Sequence, residues 1–102
     1  MPHAPQLIWT RHATEDMARL REFIRVHNPD AAQRAAQAIQ KAAARLLEHP
    51  ALGHPVPDLH EFRDLFIPFG GRGYVLRYRL EAPRIVIVRV WHSLEERAMP
   101  GG

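Results

Sequence analysis

Apolar residues change their spacing twice along this chain, and the changes separate a helical middle from a strand-rich end. Gln6-Leu7-Ile8-Trp9-Thr10 is a short run of bulky, β-prone residues and predicts a first strand. Thr14 follows, with Glu15 and Asp16 placed to suit the positive end of a helix. Met17, Leu20, Phe23, Ile24 and His27 then recur at three- and four-residue intervals, which predicts one buried face of a first helix. Asn28-Pro29-Asp30 both stops that helix and starts another, since Asn caps, Pro suits the first helical position and Asp suits the first turn. The second helix carries Ala32, Ala35, Ala36, Ile39, Ala43, Leu46 and Leu47 and is expected to end at His49-Pro50. Its small side chains let a second helix approach closely, so the two should form a tight antiparallel hairpin.

Ala51-Leu52-Gly53-His54-Pro55-Val56-Pro57-Asp58 reads as a rigid, irregular connector and not as a domain boundary. Beyond it the period drops to two. Phe62–Ile67 predicts a strand ended by Pro68, and Phe69-Gly70-Gly71-Arg72-Gly73 a turn. Tyr74-Val75-Leu76-Arg77-Tyr78-Arg79-Leu80 alternates, with Tyr74, Leu76, Tyr78 and Leu80 on one face and Val75, Arg77 and Arg79 on the other. A turn at Glu81–Arg84 leads to Ile85-Val86-Ile87-Val88-Arg89-Val90-Trp91, apolar on both faces as a central strand should be. The expected fold is α+β, order β-α-α-β-β-β, with a helical hairpin packed on an antiparallel sheet and Trp9 near Trp91. With 102 residues, positions 1–102 make one domain.

Composition narrows the chemistry. The absence of cysteine removes disulfides, thiolate nucleophiles and thiolate metal sites. No apolar stretch reaches spanning length, and Met1-Pro2-His3-Ala4-Pro5 has no signal-peptide core, so a cytoplasmic location is expected. The net charge is only +3, yet Lys41 is the single lysine among 14 basic residues. A GC-rich genome enriches arginine by itself; guanidinium groups also suit bidentate contacts to phosphate or carboxylate. Between Arg72 and His92 five arginines face one acid, Glu81, and this local excess favours an anionic partner. His3, His12, His27, His49, His54 and His60 show no metal-ligand spacing, so neither a metal nor another cofactor is expected.

Four local patterns in this order resemble the RelE/ParE toxin superfamily of type II toxin–antitoxin systems. His49–Val56 is similar to its proline-and-glycine connector, Arg63-Asp64-Leu65 to its Arg-Glu-Leu strand opening, and Tyr74–Arg79 to its Tyr-x-x-x-Tyr strand. Val88-Arg89-Val90-Trp91-His92 resembles its final strand, and the likeness spans roughly Leu7 to Arg97. The resemblance implies a toxin neutralised by an antitoxin partner of the ParD kind or similar, with operator DNA reached only through the antitoxin complex. Arg72, Arg77, Arg79 and Arg89 are the expected antitoxin contacts, Arg77 and Arg79 being exposed to an acidic segment that folds on binding.

Two activities occur on this fold: RelE-type members cut messenger RNA on the ribosome, and ParE-type members inhibit DNA gyrase. As a nuclease, this chain would rely on His92 for acid–base work and on Arg63, Arg77 and Arg89 for phosphate contacts. Val75 stands where RelE-type strands carry arginine, and Ser93-Leu94-Glu95-Glu96 is acidic where many relatives of either kind are basic. The resemblance therefore leans toward the ParE branch and toward a gyrase inhibitor that binds without catalysis. A ribosome-dependent endoribonuclease is the alternative, and a non-toxic antitoxin-binding module the third reading.

Overall fold

The computed structural model describes residues 4–98. Strand β1 spans Gln6–Trp9, helix α1 Arg11–Arg25, helix α2 Pro29–Arg45, and strands β2 to β5 span His54–Val56, Leu59–Phe69, Arg72–Glu81 and Arg84–His92. A 3₁₀ turn over Ser93–Ala98 follows β5. The five strands form one sheet in the order β1-β5-β4-β3-β2, with the helical hairpin on one face. Two parts of the expected sheet topology need correction. β1 pairs with β5 in parallel, so the sheet is mixed, although β3, β4 and β5 are the antiparallel meander the sequence suggests. The connector also contributes a strand, β2, which pairs with β3 through a turn at Pro57-Asp58. Asp58 takes φ 64° there, a conformation this residue type tolerates.

Helix α1 begins four residues earlier than the acids suggest. Thr10 is the N-cap, its hydroxyl oxygen accepting from the Ala13 N–H at 3.1 Å. The Thr10 N–H itself donates to the Ile87 carbonyl at 3.0 Å, so one residue closes the last rung of β1 and opens α1. Ala13, Met17 and Leu20 are buried as the periodicity requires. Phe23 is not: it sits at the margin of that apolar arc, on the last turn, and is 71% exposed. Helix α2 starts as expected, with Asn28 accepting from the Ala31 N–H at 3.1 Å and Pro29 in the first turn. Its regular part ends at Arg45, and tighter bonds from Leu46, Leu47 and Glu48 to residues three positions back carry the chain toward Pro50.

The core lies between the hairpin and one sheet face. Ile39 and Ala43 of α2, Leu46 at its C-cap, and Met17 and Leu20 of α1 pack on Leu76, Tyr78, Ile87 and Val90. Each fully buried large aliphatic side chain here contributes about 1.5–3 kcal/mol. The alanines set the spacing, since Ala35, Ala36 and Ala42 are all buried. Trp9 packs against this core, whereas Trp91 belongs to the opposite face, so the two indoles do not pair.

Strand β3 runs through Pro68, where the sequence suggested an end. Pro68 faces Gly73, one step beyond the pair that closes the hairpin, so its nitrogen lies on the side where β3 has no further neighbour and the missing donor costs nothing. The hairpin loop is Gly70-Gly71 alone, with Gly70 at φ 61°. In β5 the pairing shifts between Arg77 and Tyr78, and Val88 is the extra residue of the resulting bulge. Its carbonyl is taken up by the Thr10 hydroxyl at 3.3 Å. Among the described residues no helix is long and apolar enough to cross a membrane.

Candidate functional site

The sheet arginines that the sequence singles out are largely spoken for inside the molecule. Arg77 is buried, 7% exposed, where the alternation pattern put it in solvent. Its neighbour across the pair, Asp64, accepts from Nε at 2.8 Å and from Nη2 at 3.0 Å. The guanidinium carbon also lies 5.1 Å from the centroid of the Trp91 ring. The reason is geometric: Asp64, Arg77 and Trp91 stand on one face of three adjacent strands, so the indole meets the guanidinium while the carboxylate accepts its hydrogen bonds.

Arg89 is held in a different way. β1 stops at Trp9, so the outer edge of β5 has no strand beside Val90, and α1 fills the gap. Asp16, 3% exposed, accepts from the Val90 N–H at 2.8 Å, from Arg89 Nε at 2.8 Å and from Arg89 Nη2 at 3.2 Å. Arg19 adds a longer contact at 3.4 Å and also pairs with Glu95. Asp16 thus stands in for a missing strand, and its charge is balanced by two guanidinium groups.

Arg63 donates to the Gly53 carbonyl at 2.7 Å and to Ala51 at 3.3 Å, so it anchors the connector. Tyr78 completes that anchor: its hydroxyl donates to the Pro50 carbonyl at 2.7 Å and accepts from the Gly53 N–H at 2.8 Å. Burial raises the Tyr78 pKa, opposed by the Gly53 hydrogen bond and the nearby Arg63 charge. Arg79 is about one-third exposed and pairs with Glu81, which Arg84 also approaches at 3.6 Å. The hydrogen bond from Arg79 holds Glu81 below the usual carboxylate range. Arg72, at the hairpin, is exposed and has no acid within 4 Å among the described residues.

His92 ends β5 at the mouth of a cleft of about 390 Å³ between α1 and the 3₁₀ turn, lined by Arg19, Phe23, Ile24, Tyr74, His92 and Leu94. Its ring meets Tyr74 edge-on at 5.2 Å. Nδ1 accepts from the Leu94 N–H at 3.1 Å, which leaves the other ring nitrogen, Nε2, as the donor of the neutral form. The His92 N–H donates to Glu95 at 2.8 Å. Burial, and then the Glu95 charge, raise the Tyr74 pKa, so this phenol keeps its proton through the neutral range. Phe23 and Leu94 are 71% and 62% exposed, so the cleft has an apolar rim.

The structure thus brings Arg77 and Arg89 side by side on paired strands, leaves Arg72 and Arg79 near the hairpin and strand end, and sets Arg63 under the connector. It does not gather Arg63, Arg77 and Arg89 with His92 around one open position. Sequence reading missed the roles of Asp16 and Asp64, which engage Arg89 and Arg77, and of Glu95, which pairs with Arg19 beside His92. Only Asp16 gave a signal, as a charge one residue before Met17 on an otherwise apolar helix face.

These side chains stand on a small α+β domain, a helical hairpin on one face of a mixed sheet whose opposite face carries Arg77, Arg79 and Arg89. The family model described as the ParE toxin of the type II toxin–antitoxin system parDE matches residues 7–97, and the chain belongs to that family. It is 39% identical over 85 residues to the protein named Toxin RelE3 of Caulobacter vibrioides, covering 83% of this chain and 90% of that protein. Toxin RelE1 of the same organism is 36% identical over 85 residues, with 83% and 89% covered. Among solved structures, the fold matches the chromosomal ParDE system of P. aeruginosa with a TM-score of 0.74 at 24% identity, covering 88% of this chain and 97% of that one. The RelBE2 toxin–antitoxin complex of Mycobacterium tuberculosis matches with a TM-score of 0.59 at 24% identity, covering 90% and 99%. The protein is a toxin component of a type II toxin–antitoxin system.

Proposed function

We propose that this toxin acts in the cytoplasm by binding DNA gyrase, without catalysis of its own, and is neutralised by a cognate antitoxin. The observation that carries the reading is the internal engagement of Arg63, Arg77 and Arg89. A nuclease needs cations open to the scissile phosphate and an acid–base group within hydrogen-bond reach of the reacting oxygens. Here Asp64 and Asp16 occupy the two strand guanidinium groups, and two carbonyls occupy Arg63. Arg72 and Arg79 remain accessible for an acidic antitoxin segment, while Arg77 and Arg89 keep the sheet face in shape beneath it. Exchange of Arg72 and Arg79 for Glu should weaken antitoxin binding at least tenfold in a titration, and unchanged affinity removes them from the interface.

The test of the activity is pulse labelling after induction of the chain without an antitoxin. DNA synthesis should fall promptly while protein synthesis continues; prompt loss of translation would refute the proposal. The second reading, a ribosome-dependent endoribonuclease, has one observation in its favour: His92 and Tyr74 meet at the mouth of an open cleft. The names of the Caulobacter relatives point the same way.

A further inference from the structure

Pairing inside the fold relocates the chain's free positive charge. Eight arginines have a described acid or carbonyl partner: Arg11, Arg19 and Arg25 on α1, Arg63 on β3, and Arg77, Arg79, Arg84 and Arg89 on the sheet. Three cations on the outer side of α2, Arg34, Lys41 and Arg45, are exposed and have no acid within 4 Å among the described residues. At 3.6 residues per turn they fall within roughly 40° of one another, in a straight row about 16 Å long. The row points away from the buried side formed by Ala35, Ile39, Ala42 and Leu46. Beside it runs a shallow cleft between the helices, of about 350 Å³, whose lining includes Arg21, Gln33, Gln37 and Gln40 and no acid.

We propose that this outer face of α2 is a contact surface for the sugar–phosphate backbone of duplex DNA. The composition selects the partner. Single-stranded nucleic acid is gripped largely by aromatic side chains on which bases stack, and α2 has no aromatic residue. An acidic protein segment would need apolar anchors as well as charge, and from Arg34 to Arg45 the exposed positions offer nothing apolar larger than alanine. Duplex DNA carries one negative charge per about 1.7 Å of axis, so a rigid cationic row meets phosphates without base readout. The glutamine side chains add neutral donors of the kind that bond phosphate and sugar oxygens. Asp30, in the first turn of the helix, and Glu48, three residues beyond its last, flank the row. The inference stands apart from the choice of gyrase as target, because it concerns the isolated toxin and naked DNA.

The test is fluorescence polarisation of the full chain with a labelled duplex two helical turns long, across a salt series. Three phosphate contacts predict a slope of log affinity against log salt of about −2.7, hence about 40-fold weaker binding at 200 mM than at 50 mM. The triple variant Arg34→Gln, Lys41→Gln, Arg45→Gln should lose at least tenfold in affinity at low salt and most of the slope. A control variant, Arg11→Gln with Arg84→Gln, removes two charges from exposed cations away from this face and should bind as the parent does. The pair Arg34→Lys, Arg45→Lys should retain binding, since charge and not fork geometry makes these contacts. Circular dichroism checks that each variant is folded. Absence of duplex binding at 50 mM salt, equal losses in the two charge-reduced variants, or tighter binding to single-stranded RNA of the same length would each overturn the proposal.

Discussion

Replacing Asp16 with Ala removes a carboxylate that makes four contacts at once and tests whether α1 locks the open edge of β5. The Val90 N–H loses its acceptor in a buried position, at a cost of about 1–3 kcal/mol. Arg89 and Arg19 lose a shared counter-charge, and breaking a fully buried pair from one side costs about 3–5 kcal/mol. That second figure must be discounted, because the Arg89 and Arg19 side chains are 25% and 44% exposed and water can reach them once the carboxylate is gone. The sum expected is about 2–4 kcal/mol, a large share of the 5–15 kcal/mol that holds a domain of this size. The assay is urea unfolding, with the midpoint shifting and the slope unchanged. Asp16→Asn keeps an acceptor for the Val90 N–H and should recover about 1 kcal/mol of the loss. A double-mutant cycle with Arg89→Ala should give a coupling of about 1–3 kcal/mol. A loss below about 0.5 kcal/mol for Asp16→Ala, or additivity in the cycle, would refute the reasoning and return Arg89 to the set of available cations.

Tyr78→Phe keeps the ring packed but orphans the buried Gly53 N–H, so it should cost about 2 kcal/mol in the same unfolding assay and loosen the connector to proteolysis. Gly73→Ala would place a methyl group 2.5 Å from the Ile67 carbonyl oxygen and 2.5 Å from Phe66; the exposed Phe66 ring can swing aside, the backbone cannot, and a loss of about 1–3 kcal/mol should show as a lower melting temperature. Tyr74 and Tyr78 both have raised pKa values through burial, so the folded state holds their protons to higher pH than the unfolded chain does. Their contribution is therefore complete below about pH 10 and is lost as pH rises through the folded values, so stability should fall on the alkaline side with delayed phenolate absorbance; unchanged stability there would contradict it.

The elements carrying strong periodicity were legible in the sequence, because one physical cause produced both the pattern and the structure. The Asn28-Pro29 start of α2, its alanine face and the alternation of β4 on the core side all reflect packing on a single apolar layer. What failed depended on residues distant in the chain. Asp16 resembles a helix-dipole acid until β1 is seen to end at Trp9 and expose the edge at Val90, 74 residues away. Arg77 resembles a solvent-facing residue until Asp64 and Trp91 arrive on adjacent strands. β2 was hidden because three prolines in and around it suppress strand propensity, and it exists through pairing with β3. The same blindness affected the candidate site. Local charge density pointed to the segment from Arg72 to His92, whereas pairing across the fold absorbs most of it and leaves the outer face of α2 as the longest row of unpaired cations among the described residues.

Supercoiling by purified DNA gyrase, assayed with the refolded chain added in increasing amount, bears most directly on the proposed activity. Inhibition that the cognate antitoxin reverses, and that survives His92→Ala, is the predicted result. Undiminished supercoiling, together with cleavage of ribosome-bound message that His92→Ala abolishes, would contradict it and make the cleft beside Tyr74 a catalytic site.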